Sequence, residues 1–170
     1  MKTARSAPSA FTITCRNSAS RTGRLDEYIQ TREFLGWLER MTGIDELFYD
    51  PDYFGGGTHE NRHGQDLDPH VDFNKYPKTG LHRRLNLIIY LNREWHDEWG
   101  GAIEFHKEPR LPPEQNEIEY VQPKFNRAVL FETTHWSWHG FERNQPAGGR
   151  RRSPFSQVGG IIFLQQDAAA

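Results

Sequence analysis

The chain has 170 residues and a net charge of −2, and 13% of its residues are aromatic. That aromatic content is far above the level of intrinsically disordered chains, and the small net charge gives no reason to expect a nucleic acid or an anionic membrane as partner. No apolar segment approaches the roughly 20 residues of a membrane span, and the single Cys15 excludes a disulfide framework and a cysteine-rich zinc site. A soluble, cytoplasmic globular domain is expected.

The first 24 residues differ in composition from the rest, because they are rich in serine, threonine and arginine and contain no acid before Asp26. This composition is typical both of organelle transit peptides and of solvated N-terminal tails. The sequence favours a flexible tail over residues 1–24, followed by a single domain over residues 25–170. Alternating residues at Phe11–Cys15 permit a short edge strand within the tail.

One segment has helical periodicity. Between Thr31 and Gly43, apolar residues recur at spacings of three and four, and Gly43 followed by Ile44 is typical of a helix end. Short apolar segments separated by glycine and proline follow, and they predict strands at Leu85–Asn92, Ala102–His106, Asn116–Val121, Arg127–Thr133, Arg151–Phe155 and Gly160–Gln165. Many short strands after one helix predict a mainly β fold, an antiparallel sandwich or barrel.

Three His-x-carboxylate pairs occur among the eight histidines: His70/Asp72, His96/Glu98 and His106/Glu108. Alternate residues of a strand point to the same face, so such a pair can supply two metal ligands side by side. About one pair is expected by chance in this composition, so the spacing alone decides nothing. The second and third pairs lie beside charged connectors and are expected to be solvated surface residues. The first pair can enter a strand after Pro69, which makes it the preferred ligand pair.

A third ligand is expected from a distant strand that faces the first across a barrel. His139 is the candidate, because it follows an apolar strand and precedes Gly140, which allows backbone or ligand to approach closely. The alternatives are that His139 is a hydrogen-bonded core histidine, or that His135 is the ligand. Two histidines and one carboxylate leave three coordination positions free, which suits non-haem Fe(II) with a chelating co-substrate better than structural zinc.

Arginines near the end of the chain are the remaining candidates for binding a charged ligand. Arg151 and Ser153 are an i, i+2 pair that can offer a guanidinium fork and a hydroxyl to a carboxylate. The alternatives for the three arginines are a solvated basic corner and a partner-binding patch. A 2-oxo dicarboxylic acid bound to the metal would need such a cation for its far carboxylate, because an unpaired buried charge is costly. Arg83 and Arg84 are expected to be entrance or surface charges.

Six motifs follow one another between residues 34 and 155: His70-x-Asp72, Leu81–Asn92, Trp99-Gly100-Gly101, Asn126–Phe131, Ser137–Gly140 and Arg151-Arg152-Ser153. In this ordered set the chain resembles the Fe(II)/2-oxoglutarate-dependent dioxygenase superfamily, prolyl 4-hydroxylase type. The resemblance implies a double-stranded β-helix (jelly roll) with a supporting N-terminal helix. It also implies oxidative decarboxylation of 2-oxoglutarate to succinate and CO2, coupled to hydroxylation of a peptidyl prolyl or small-molecule substrate.

The resemblance also implies residue roles. His70, Asp72 and His139 match the ligands of Fe(II), and Arg151 matches the basic residue that pairs with the 5-carboxylate of 2-oxoglutarate. Tyr90 matches a hydroxyl directed at the same carboxylate.

The family's co-substrates are 2-oxoglutarate and O2, and the remaining expectations concern the residues that would bind 2-oxoglutarate. Ser153 is expected to assist the arginine, and Asn86, which shares the strand face of Tyr90, is expected to border 2-oxoglutarate. Arg150 or Arg152 could replace Arg151, because Pro154 leaves the register of the last strand uncertain.

Two other function classes stay open, a catalytically silent jelly-roll binding module and a zinc-dependent hydrolase.

Overall fold

The computed structural model describes residues 21–61, 64–143 and 156–165. Within these ranges, helices α1 (Arg21–Ile29) and α2 (Arg32–Thr42) precede the strands β1 (Phe48–Tyr49), β2 (Gly57–Asn61), β3 (Leu67–His70), β4 (His82–Tyr90), β5 (Ile103–His106), β6 (Ile118–Val121), β7 (Ala128–Glu132), β8 (Trp138–Phe141) and β9 (Ser156–Gln165). Short 3-10 helices lie at Asp97–Trp99 and Pro113–Gln115. Neither α-helix in the described part of the chain is long and apolar enough to cross a membrane.

The strands form two antiparallel sheets. The first sheet has the order β1-β9-β4-β7, and β2 pairs with β9 beyond the end of β1. The second sheet has the order β3-β8-β5-β6. Hydrogen-bonded neighbours are therefore often distant in sequence, as expected when strands from two sheets alternate along the chain. The predicted mainly β architecture is confirmed.

The predicted helix is α2, and its ends follow from capping. Thr31 Oγ1 accepts a hydrogen bond from Phe34 N at 3.2 Å, and Gly43, at φ 71°, donates its N–H to Glu39 O at 2.8 Å. Helix α1 was not expected, because it is short and contains Gly23, a weak helix former. The boundary predicted between residues 24 and 25 falls inside this helix.

Most strand predictions agree with the structure to within a few residues. The last strand is longer than expected, because Gly159 and Gly160 continue it and pair with Ile89 and Ile88 of β4. The strands predicted at Phe11–Cys15 and Arg151–Phe155 lie outside the described residues.

Strand β4 separates two apolar clusters. On one face, Leu85 and Leu87 are buried in one cluster with residues of both helices and with Phe163 of β9. On the other face, Tyr90 is buried against Ile103 of the second sheet, with Ile88, Phe105, Val121, Val129 and Phe131 packed around them. The helices therefore cover the outer face of the first sheet, and its inner face is turned towards the second sheet.

A β-bulge at Arg84 changes the alternation along β4. Arg83 is opposite Leu164 of β9, whereas Leu85 is opposite Phe163, so two residues of β9 span three residues of β4. Because Leu164 and Phe163 are adjacent and point to opposite faces, Arg83 and Leu85 also point to opposite faces. Arg83 therefore shares the inner face with Asn86.

Candidate metal centre

Two of the predicted ligands lie side by side in the second sheet. His70 of β3 and His139 of β8 are register partners, and the centroids of their rings are 4.5 Å apart. The expectation that the second histidine would face the first across a barrel is wrong, since the two strands are hydrogen-bonded neighbours. A cross-strand pair gives the same closeness without a cavity between the residues.

Asp72 joins the two histidines from the irregular segment that follows β3. The strand ends at His70, so the prediction that His70 and Asp72 share a strand face is wrong. The carboxylate nevertheless turns towards both rings, with Oδ1 3.7 Å from His70 Nε2 and Oδ2 3.5 Å from His139 Nε2. One possible ligand atom from each residue lies within 4.8 Å of the other two.

Backbone carbonyls orient both imidazole rings. His70 Nδ1 is 3.0 Å from Asp68 O, and His139 Nδ1 is 2.9 Å from Ser137 O. A carbonyl oxygen only accepts hydrogen bonds, so each Nδ1 carries the proton and each Nε2 keeps a lone pair for a metal. Burial lowers the pKa of His139, which favours the neutral ring that a metal requires.

Gly140 allows β3 to approach β8. A Cβ at this position would lie within 3.0 Å of the backbone oxygen of Leu67, closer than real side chains come. Of the two roles expected for Gly140, the structure shows the close approach of backbone. The approach lies next to the pairing of His70 with His139, so it contributes directly to the geometry of the cluster.

Asp72 is also held from the first sheet. Arg83 Nη2 donates to Asp72 Oδ2 at 2.9 Å, and Asn86 Nδ2 donates to the same oxygen at 2.7 Å. Arg83 also donates to Asn86 Oδ1 from Nε at 3.1 Å and from Nη2 at 2.7 Å. The guanidinium of Arg83 lies 4.5 Å from the ring centroid of Phe73. These contacts form a closed polar triangle of Arg83, Asn86 and Asp72.

The expectation that Arg83 is an entrance or surface charge is therefore wrong. Only 4% of the residue is exposed, and burial lowers the pKa of its guanidinium while the charge of Asp72 opposes that effect. Arg84 fits the expectation better, because it is half-buried and its guanidinium pairs with exposed Glu132 at 2.9 Å. Strict strand alternation would place Arg83 on the helix side, so no simple sequence signal identified it.

The other two histidine pairs are not part of the cluster. His96 is exposed and bonds Glu94 at 3.0 Å, which confirms the surface prediction for it. The same prediction is wrong for His106, which is buried between Glu104, at 3.2 Å, and Asn116, at 2.9 Å. His135, the rival third ligand, is exposed.

The residues predicted to bind 2-oxoglutarate divide into two groups. Arg151 and Ser153, with Arg150 and Arg152, lie outside the described residues. Tyr90 ends β4 on the inner face, and burial raises the pKa of its hydroxyl, which stays protonated and able to donate at neutral pH. Asn86 is on the same face, where its amide bonds Asp72.

The donor set fits Fe(II). Two neutral imidazole nitrogens and one carboxylate are the ligands of non-haem iron sites that keep open positions. A structural zinc site normally needs four protein ligands. Among the described residues, His70, Asp72 and His139 are the only three possible metal ligands that come together in one group.

Residues 56–155 match the family model of the 2OG-Fe(II) oxygenase superfamily. The chain belongs to this superfamily. The expected cofactor, Fe(II), and the expected co-substrates, 2-oxoglutarate and O2, are those of the family and are confirmed by this membership. A comparison with curated protein sequences gives no match.

Solved structures of prolyl hydroxylases share the fold. A prolyl 4-hydroxylase from Phytophthora capsici is 23% identical, with a TM-score of 0.55 over 84% of this chain and 42% of its own. A Pseudomonas putida prolyl-4-hydroxylase is 11% identical, with a TM-score of 0.56 over 92% and 77%. A Trichoplax adhaerens prolyl hydroxylase in complex with a hypoxia inducible factor peptide fragment is 16% identical, with a TM-score of 0.52 over 88% and 60%. The jelly-roll prediction is confirmed, and the chain spans less than half of the Phytophthora protein.

Proposed function

We propose that the chain hydroxylates a C–H bond of a peptidyl prolyl or small-molecule substrate, with conversion of 2-oxoglutarate and O2 to succinate and CO2. The cluster of His70, Asp72 and His139 inside the family-matched segment is the observation that carries this proposal. Bound Fe(II) would supply the activation of O2, with 2-oxoglutarate as the two-electron reductant. One oxygen atom of O2 then enters succinate, and the other enters the hydroxyl group of the product.

The protein's part is to hold the reactants. His70 and His139 would bind iron through Nε2, because their Nδ1 atoms are committed to backbone carbonyls. Arg151 would pair with the 5-carboxylate of 2-oxoglutarate, with Ser153 as a further donor, as the family motif suggests. The protonated hydroxyl of Tyr90 would donate to the same carboxylate from the inner face of β4.

Exposed aromatic side chains next to Asp72 support an apolar substrate group. Phe54 and Phe73 are 40% and 37% exposed, and their ring centroids are 5.4 Å apart in an edge arrangement. Phe54 also contacts the ring of Tyr76 in an edge arrangement, with centroids 5.3 Å apart. A pyrrolidine ring or another apolar group suits such a surface better than a charged group does. The Trichoplax protein in complex with a peptide supports the peptide alternative.

An anaerobic titration with Fe(II) and 2-oxoglutarate tests the proposal. The parent protein should develop the weak visible metal-to-ligand charge-transfer band of an iron-bound 2-oxo acid. His70→Ala should remove the band, and Arg151→Ala should require much more 2-oxoglutarate to produce it. His96→Ala is the matched control, because this exposed histidine also precedes an acid by two residues, and it should leave the band unchanged.

Absence of the band from a folded, iron-loaded parent would contradict the proposal. The two remaining classes then separate by turnover, since a zinc-dependent hydrolase works without O2 and a silent binding module has no turnover at all.

A further inference from the structure

One oxygen of the Asp72 carboxylate is already in use. Oδ2 accepts hydrogen bonds from Arg83 Nη2 at 2.9 Å and from Asn86 Nδ2 at 2.7 Å. A carboxylate oxygen has two lone pairs in the carboxylate plane, so these two donors occupy its favourable acceptor positions. Oδ1 has neither of these two donors and lies 3.7 Å from His70 Nε2, whereas Oδ2 lies 3.5 Å from His139 Nε2 in addition to its two donors. The two oxygens of Asp72 therefore have different surroundings before any metal is bound.

The two donors are themselves fixed. Arg83 holds Asn86 Oδ1 through both Nε and Nη2, which orients the amide so that its NH2 group points to Asp72. Arg83 lies under the ring of Phe73 with only 4% of its surface exposed, so water does not compete for the guanidinium. Each member of the triangle bonds the other two, and no member can rotate without losing a buried hydrogen bond.

The bulge at Arg84 makes this arrangement possible. It brings Arg83 to the same face of β4 as Asn86, and both side chains then reach Asp72 in the segment that follows β3 of the second sheet. The bulge thus couples the first sheet, which is anchored on the helices, to a residue of the metal centre in the second sheet. Bulges that redirect a side chain are common beside active sites.

We propose that Arg83 and Asn86 are positioning residues that leave Asp72 a single oxygen, Oδ1, for iron. This role rests on the proposed function. An Asp72 bound through both oxygens would take a further coordination position, and the iron needs three free positions for the two oxygens of 2-oxoglutarate and for O2. Holding the carboxylate in advance also strengthens metal binding, because the ligand pays less ordering entropy when the metal arrives.

Metal affinity of the apoprotein tests this role without turnover. Co(II) serves as the probe, and its binding is followed by its visible absorption. Arg83→Gln should weaken Co(II) binding by roughly 10- to 100-fold, the range typical of partners that orient metal ligands. Asn86→Ala should weaken it less, because Arg83 still donates to Oδ2. Arg83→Lys should restore part of the affinity, since it keeps the charge but loses the planar fork.

Arg84→Gln is the matched control. It removes the neighbouring guanidinium, whose partner is Glu132 rather than Asp72, and it should leave Co(II) affinity unchanged. Circular dichroism and urea unfolding of each apoprotein establish that the variants are folded. Should Arg83→Gln fail to fold, Asn86→Ala decides alone, because it removes no charge.

The outcomes separate this role from the proposed function. Weaker Co(II) binding in Asn86→Ala and the Arg83 variants, with the Arg84 control unaffected, supports the positioning role. Parental affinity in folded variants overturns it and leaves the proposed function intact. A parent that binds neither Co(II) nor Fe(II) overturns the proposed function itself.

Discussion

The two faces of β4 are built for different tasks. The outer face places Leu85 and Leu87 in the apolar cluster with the helices. The inner face places Arg83 and Asn86 in hydrogen-bonding contact with Asp72. On the outer face, shape and apolar area provide the stabilisation. On the inner face, the polar groups are favourable only because each has a partner. Stability and site geometry are therefore assigned to opposite faces of one strand and should respond separately to substitution.

The outer face gives the largest expected effect on stability. Leu85→Ala should lower the free energy of unfolding by about 2–5 kcal/mol, because it opens a cavity in the cluster beneath the helices. Urea unfolding of the metal-free protein measures this. Co(II) affinity of the folded fraction should stay at the parental value. Leu111→Ala is the control, since Leu111 is exposed and its loss should change stability by less than about 0.5 kcal/mol. A large loss of metal affinity in Leu85→Ala would contradict the separation of the two faces.

The next largest effect on stability is expected from Asp72, a ligand of the proposed metal centre that is bonded by the inner face of β4. Asp72→Ala should destabilise the metal-free protein by about 3 kcal/mol, because it leaves the buried charge of Arg83 without its carboxylate. The value lies at the lower end of the range for buried pairs, since 18% of the Asp72 side chain is exposed and Asn86 still accepts from Arg83. The measurement is urea unfolding in the presence of a chelator.

Asp66→Ala is the matched control for this prediction. Asp66 also pairs with an arginine, Arg143, at 2.7 Å, but both side chains are exposed and the loss should be at most about 1 kcal/mol. If Asp72→Ala were more stable than the parent, burial of the Asp72 carboxylate would cost more free energy than its contacts with Arg83 and Asn86 contribute. That result would refute the view that Arg83 and Asp72 stabilise each other.

Predictions from the sequence were correct where residues close in the chain determine the structure and no irregularity interrupts the pattern. Apolar spacing between Thr31 and Gly43, with Gly43 as the helix end, predicted α2, and short apolar segments between glycines and prolines predicted most strands. Family motifs and the sequence around each histidine selected His70, Asp72 and His139, which the structure brings together. Each of these inferences depends on residues close in sequence, or on an ordered set of motifs that the family model also matches.

Sequence reasoning was wrong where a local irregularity or a distant partner decides the outcome. The bulge at Arg84 reverses the face on which alternation places Arg83, and period-two patterning cannot register one additional residue. His106 was expected at the surface, but it is buried beside Asn116, which precedes the strand paired to its own. Asp72 lies beyond the end of β3, so the pleat of that strand does not direct its carboxylate. The assignments of Arg151 and Ser153 stay predictions.

The smallest expected change in stability comes from Gly140 in the second sheet, which carries both histidines. It tests whether packing and metal binding are also separated in that sheet, as they are on the two faces of β4. Gly140 follows His139 directly and allows the close approach of β3, which carries His70. Gly140→Ala should force the backbone at Leu67 away, at a cost of about 1–3 kcal/mol in unfolding free energy. The same shift should weaken Co(II) binding, because it displaces His70 from His139.

A glycine on the helix side is the matched control. Gly36 lies inside α2, where an added Cβ would meet only the flexible side chains of Arg40 and Glu39, at 3.4 and 3.9 Å. Gly36→Ala should therefore stabilise the protein by about 0.5–1 kcal/mol and leave Co(II) affinity unchanged. The opposite signs of the two glycine substitutions follow from what surrounds each Cβ, a rigid backbone carbonyl in one case and mobile side chains in the other. If Gly140→Ala destabilised the protein but left metal affinity intact, the approach of β3 would serve packing alone, and the second sheet would place its histidines independently of that contact.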